Sequence, residues 1–313
     1  KEKLPQKMVT HHWQNVFSHT VAAVLSDAFD KPTYSATAKK LRSKAGVSYL
    51  QNELQKIGKL DQVYWLCLAS VNQHCAICGG FAPGRIDCDT ITGEPFQLCP
   101  CDTPKYFSGD LCEMNKFNEM MGYLCGHVDG FGQVIAVDVD FEIFNRAWCL
   151  AEVVEAQKQG MQQSVKVHSF KQVQKCRHML SSIDVCKCQA SRQEDKELIL
   201  SCIRDTDEFN RFLIDLLLGS SQGIFNKCVA DMEKVAEEYL LVWDMFSDEL
   251  TERITRFPTT NPLPVFCLFL VIFLPIDALA SLPLAAIDRG WTSQSLFFAV
   301  MLPVGILNAS FTI

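Results

Sequence analysis

The chain has 313 residues, 48% of them hydrophobic and 21% charged, the composition of a globular protein with room for one large or two modest domains. Its 29 Lys and Arg stand against 36 Asp and Glu, a formal net charge of -7, which excludes the basic footprint of a nucleic-acid binder. Fifteen cysteines spread along so long a chain, with ample apolar material for a core, point to a reducing compartment rather than to a disulfide scaffold.

In chain order, apolar periodicity predicts helices from Trp13 to Phe29 and from Ser35 to Ile57, then a strand from Val63 to Ala69 whose unbroken apolar run suits burial on both faces. Further strands are predicted from Gly132 to Asp138 and from Val165 to His168, with helices from Glu113 to Leu124, Ala147 to Gln159 and Lys171 to Ser181 as crossovers. This alternation predicts an α/β domain on a mainly parallel sheet. Ser191 stands three before Glu194, the spacing of a capping box that opens a helix from Arg192 to Arg204. From Asp207 to Glu252 the pattern is helical, broken near Gly219 to Gly223, and Phe257 to Pro264 (FPTTNPLP) reads as a stiff linker. The expected organisation is a domain over residues 1–205, a helical stalk over 206–257 and a membrane hairpin over 258–313.

The last region accounts for the slightly high mean hydropathy of +0.07. Leu263 to Ile287 holds one Asp in about 25 residues, long enough to cross roughly 30 Å of hydrocarbon as a helix. Leu296 to Leu307 follows after Asp288, Arg289 and Gly290, which suggests a tight transmembrane hairpin; a buried core hairpin is the plainer alternative. Pro275, Pro283 and Pro303 predict kinked or partnered helices. Asp277, mid-span, is either a membrane functional site or an acid beside a proline break. Arg253 and Arg256 favour a cytoplasmic position for the preceding domain. The chain opens on Lys1 and ends directly after an apolar run, so a processed chain or a fragment is expected.

Between Asn72 and Cys112 the alternation stops. This stretch is rich in Gly, Pro and Asp, and carries His74, Cys75, Cys78, Cys88, Cys99, Cys101 and Cys112. A loop of this length needs tying down, and zinc does so with thiolates and imidazole at tetrahedral positions. His74 and Cys78, four apart, can face one metal from one helical turn, with Cys101 and Cys112 closing the set. Four protein ligands would leave no open position, so the metal would be structural. Free buried thiols and disulfides are the alternatives.

Three stretches, YWLCLASVNQH (Tyr64 to His74), CEMNKFNEMM (Cys112 to Met121) and VIAVDVDFEIFNRAWCLAEVVEA (Val134 to Ala156), together resemble a large, functionally uncharacterised group of unicellular-eukaryote proteins. The common core of that group is distantly similar to the TIR (Toll/interleukin-receptor) domain. The likeness runs from about Trp13 to Ile203 and implies a flavodoxin/TIR-like parallel-sheet fold. In TIR domains that cleave NAD, the glutamate of a WC-x-x-E stretch is catalytic, and this falls on Glu152, with Asp138, Asp140 and Trp148 placed to bind the ligand. A carboxylate suits that chemistry because glycosidic cleavage passes through an oxocarbenium-like state. The plainer alternatives are a first-turn helix acid paired with Arg146 for Glu152, packing for Trp148 and Cys149, and loop caps for Asp138 and Asp140. Asn72, Gln73 and His74 offer amides and imidazole to a ligand, or order their loop.

Walker and Gly-x-Ser-x-Gly motifs are lacking, and Cys149 as a nucleophile has no His placed beside it by spacing, His127 and His168 included. The leading expectation is a membrane-anchored interaction or signalling module without catalysis, which binds a lipid bilayer and associates with protein partners or itself. The alternatives are an NAD-cleaving enzyme using Glu152, and a subunit of a larger membrane complex or channel involving Asp277.

Overall fold

The computed structural model describes residues 3–75, 78, 88–89, 92–97, 99–104, 106, 116–190, 193–219 and 223–235. Four strands, β1 Lys7–His11, β2 Tyr64–Trp65, β3 Gly132–Ala136 and β4 Gln162–Lys166, pair in parallel in the order β2-β1-β3-β4. The helices are α1 Phe17–Ala28, α2 Ser35–Leu41, α3 Lys44–Lys56, α4 Cys67–Ser70, α5 Lys116–His127, α6 Ala147–Lys158, α7 Phe170–Cys176, α8 Gln193–Ser201 and α9 Thr206–Leu218. Residues 224–235 are also helical. The chain is therefore an α/β protein on a parallel sheet.

The central strand β1 was not among the predicted elements. Its sequence, KMVTH, mixes Lys, Thr and His into a buried position and lacks the apolar run expected of an inner strand. The polar groups are accommodated because each has a place on one face. Lys7 Nζ lies 2.7 Å from the Asp27 carboxylate of α1, and Lys166 of β4 approaches the same carboxylate at 3.5 Å. The Tyr64 hydroxyl donates to it at 2.9 Å. Burial raises the Asp27 pKa, but Lys166, Lys7 and Tyr64 outweigh it and hold the group below the usual carboxylate range. One acid thus ties α1 to three strands.

Alternation along the strands sends successive side chains to opposite faces. Val9, Val134 and Ala136 pack with Ala22, Ala23, Tyr34 and Ala38 of the α1 and α2 side, where the Tyr34 hydroxyl donates to the Val137 carbonyl at 2.7 Å. On the other face Ile135, Val137 and Val165 pack under Leu150, Val153 and Val154 of α6, and Met8 packs with Met121 and Leu124 of α5. The result is a layer of helices on each side of the sheet.

Several predicted boundaries shift. The opening helix starts at Phe17, since residues 12–16 form the loop out of β1. The helix expected from Ser35 to Ile57 breaks at Arg42 and Ser43, where the Ser43 hydroxyl caps α3 by accepting from Gly46 N at 3.1 Å. A Cβ on Gly46 would stand 2.0 Å from the Lys40 carbonyl oxygen, so the corner needs glycine. The strand expected from Val63 to Ala69 shortens to Tyr64–Trp65 because the chain turns into α4 at Cys67. Ser191 lies outside the described residues, so the expected capping box does too.

The first part of the expected stalk packs on the domain instead of standing away from it. Leu213 and Leu217 of α9, with Phe225, Cys228 and Met232, join the α6 core cluster, and the Phe225 ring meets Phe141 edge to face at 5.7 Å. Residues 236–313, which hold the rest of the stalk, Asp277 and the expected hairpin, lie outside the described residues. Among the described residues no helix is long and apolar enough to cross a membrane.

Candidate functional site

Two clusters of chemistry-bearing side chains form on this frame. The first lies at the carboxyl ends of β1 and β3, between which the strand order reverses; open parallel sheets take ligands in the crevice beyond the strands at such a point. The start of α6 abuts the end of β1, where the Cys149 thiol donates to the His11 carbonyl at 3.6 Å. One turn on, Glu152 accepts from the Thr10 hydroxyl at 2.5 Å. Thr10 in turn accepts from Gln133 Nε2 at 2.7 Å, and the Gln133 oxygen accepts from Gln163 Nε2 at 2.7 Å. Gln163 also donates to the Val153 carbonyl at 2.9 Å. A chain of aligned donors from β4, β3 and β1 thus ends on one carboxyl group of α6.

That group is not the first-turn acid paired with Arg146 that the sequence allowed, since the first turn of α6 carries no acid. Burial lifts the Glu152 carboxyl to about 8, against the pull of the Thr10 bond, so it is largely protonated at neutral pH. Asp138 is a loop cap: it accepts from the Glu142 and Ile143 N–H groups at 3.0 and 2.8 Å, holding a 3-10 turn over Glu142–Asn145 behind Phe141, whose φ of 63° is left-handed. Asp140 is exposed in the same turn. Trp148 packs against the α6 core and buries its indole N–H with no hydrogen-bond partner.

Around the end of β1 stand groups that the motifs did not point to. His11 and His12 are 5% and 8% exposed, and burial lowers the pKa of both. For His12, Asp138 and Glu142 pull the other way while Arg146 adds to the lowering. Trp13 Nε1 donates to Cys67 Sγ at 3.3 Å. Burial, and then Glu152, push the Cys67 thiol up to about 12 and the Cys149 thiol well above its ordinary value, so neither is a thiolate at neutral pH. His127 is turned to the Tyr123 carbonyl at 2.7 Å and His168 to the His19 and Tyr34 rings. The only sequence signal for Thr10, His11, His12 and Trp13 is a short apolar run that ends in THHW.

The second cluster lies in the insertion. His74 sits in a 3-10 turn, Gln73–Cys75, and the Cys78 N–H returns to the Gln73 carbonyl at 2.9 Å, so His74 and Cys78 share a turn as their spacing predicts. His74 Nδ1 lies 3.3 Å from Cys101 Sγ and 3.5 Å from both Cys78 Sγ and Cys99 Sγ. Cys78 and Cys101 approach at 3.2 Å, and all four ligand atoms fall within 4.8 Å of one another. Tetrahedral zinc with bonds of roughly 2.0 and 2.3 Å to nitrogen and sulfur requires ligand separations of about 3.5–3.8 Å. The cluster can therefore hold a metal such as zinc.

Cys99 joins His74, Cys78 and Cys101 in this set; Cys112, which the sequence also offered as a ligand, lies outside the described residues. The described cysteines of the insertion are free thiols. Hydrogen bonds from Cys78, then from Thr103 and His74, bring the Cys101 thiol down to about 5, the thiolate character a metal ligand needs. Asn72 and Gln73 order the loop: Asn72 Oδ1 accepts from His74 N at 3.1 Å, and Gln73 Nε2 donates to the Cys67 carbonyl at 3.0 Å. A hollow of about 500 Å³ along α3, lined by Tyr49, Asn52, Glu53, Gln55 and Lys56, is one exposed helix face and brings no converging groups. The chain matches no family model, no curated protein and no solved structure, so both clusters are read from their own geometry.

Proposed function

We propose that this chain is a membrane-anchored interaction and signalling module without catalysis: a TIR-like α/β domain on the cytoplasmic side of a bilayer, assembling with itself or with protein partners. The observation that carries this reading is the commitment of Glu152, which ends a hydrogen-bond chain through Thr10, Gln133 and Gln163. Asp138 is likewise committed to its turn. The residues that chemistry would need are used to lock α6 onto the sheet.

The strand order, shared with doubly wound folds of the 2-1-3-4 type, and the position of Trp148 and Glu152 on the helix after β3 support the TIR resemblance. Val16 and Phe17, 45% and 64% exposed, offer apolar surface for assembly. The bilayer is supported by the run from Leu263 to Ile287. The metal that fits is zinc, held structurally by His74, Cys78, Cys99 and Cys101 with no position open for catalysis. Crosslinking the full chain on liposomes should give oligomers that Phe17→Asp weakens; only monomers at the membrane would count against the reading.

A second reading, an NAD-cleaving enzyme, is favoured by one observation: a carboxyl group of pKa about 8 beside the point where the strand order reverses. A general acid of that strength suits proton transfer near neutral pH. Nicotinamide release lost specifically in Glu152→Gln would establish it.

A further inference from the structure

In the segment 66–106, none of the described residues is buried. Among the described residues only partial burial holds the stretch, with Leu66 packed against the α1 and α2 cluster, and small units of this kind depend on a metal for their fold. Yet the same stretch reaches the end of β1, because Cys67 meets Trp13 there. The Cys67 carbonyl, in the first turn of α4, accepts from Gln73 Nε2 at 3.0 Å and from Val71 N at 3.1 Å. Gln73 directly precedes His74, and its carbonyl accepts from Cys78 N at 2.9 Å. Two of the four candidate ligands therefore adjoin the residue that grips Cys67, His74 in sequence and Cys78 through its N–H. At the other end of that contact, Cys67 Sγ accepts the indole N–H of Trp13 at 3.3 Å. Trp13 is 49% exposed, and so has little packing to hold it there.

We propose that the metal centre is a positioning clamp: zinc on His74, Cys78, Cys99 and Cys101 fixes the turn at Gln73, Gln73 fixes α4, and Cys67 then holds Trp13 over the carboxyl end of β1. The ion replaces a hydrophobic core for this segment and reaches the end of β1 through one side chain. This rests on the structural zinc reading given above. It adds that loading the metal sets the position of Trp13 there, while the α6 core, with Cys228 at 4% exposure, stays as it is.

The test uses the full chain, purified under reducing conditions without chelator. Zinc is measured by elemental analysis, and alkylation of Cys67 and Cys228 is followed by peptide mass spectrometry before and after zinc removal. The expected result is about one zinc per chain, lost in Cys99→Ser and kept in Cys112→Ser. Zinc loss should speed Cys67 alkylation about tenfold, as for a locally opened segment, with Cys228 unchanged. Gln73→Ala should keep its zinc and still show the faster Cys67 reaction. Absence of zinc, or its loss in Cys112→Ser with retention in Cys99→Ser, would overturn the ligand set. Zinc present but Cys67 indifferent to its removal, or indifferent to Gln73→Ala, would overturn the clamp and leave the structural zinc intact. Cys228 reacting in step with Cys67 would show that the metal holds the whole domain and would overturn the local role.

Discussion

The chemistry of Glu152 depends on partners that its motif does not name. The folded chain holds its proton up to about pH 8, whereas its ordinary value is 4.5. Between these values the folded state binds more protons than the unfolded state, so the stability this group contributes is full below about 4.5 and is lost as the pH rises through 8. Denaturant unfolding across that window should show stability falling by up to about 1.4 kcal/mol per pH unit for one proton, and Glu152→Gln should flatten the slope. The five-residue span from Trp148 to Glu152 was legible in the sequence. Its partners were not, because Thr10, Gln133 and Gln163 come from three strands whose register only the sheet supplies. The metal cluster divides the same way: His74 and Cys78 follow from a four-residue spacing, while Cys99 joins them through the path of a loop that no periodicity describes.

Between elements, the deciding contacts are long-range and polar where the sequence suggested apolar packing. Asp27 and Lys166, with side chains 2% and 8% exposed, form with Lys7 a buried ion cluster joining α1 to β1 and β4. Asp27→Asn leaves buried positive charge without its counter-ion and should cost about 3–5 kcal/mol in equilibrium unfolding at neutral pH. The sheet was predicted from three apolar runs, of which β3 keeps its place, β2 shortens to Tyr64–Trp65 and β4 begins three residues earlier, at Gln162. The strand β1 escaped because its Lys and Thr meet partners far along the chain, Asp27 and Glu152. Likewise, α9 and residues 224–235 read as a stalk because helical periodicity records an apolar face but not what covers it. With Phe225 fully buried against Phe141, Phe225→Ala should destabilise the domain by about 3–5 kcal/mol. An independent stalk would leave the domain's unfolding midpoint unchanged.

For the whole molecule, the α/β class and parallel sheet were legible from the alternation of apolar runs, since that signal is local and repeated. Function was not, because it turns on whether one carboxyl group is free to act or committed to holding the fold. Under the proposed reading Glu152 serves the fold, a metal-clamped insertion holds Trp13 at the end of β1, and the chain's output is assembly at a bilayer. The most direct test of that assignment is nicotinamide release from NAD by the purified chain, free and clustered on liposomes, comparing the parent with Glu152→Gln after both are shown to be folded. The account predicts no release from either protein in either setting. Release by the parent that is abolished in Glu152→Gln would contradict it and make this an NAD-cleaving enzyme.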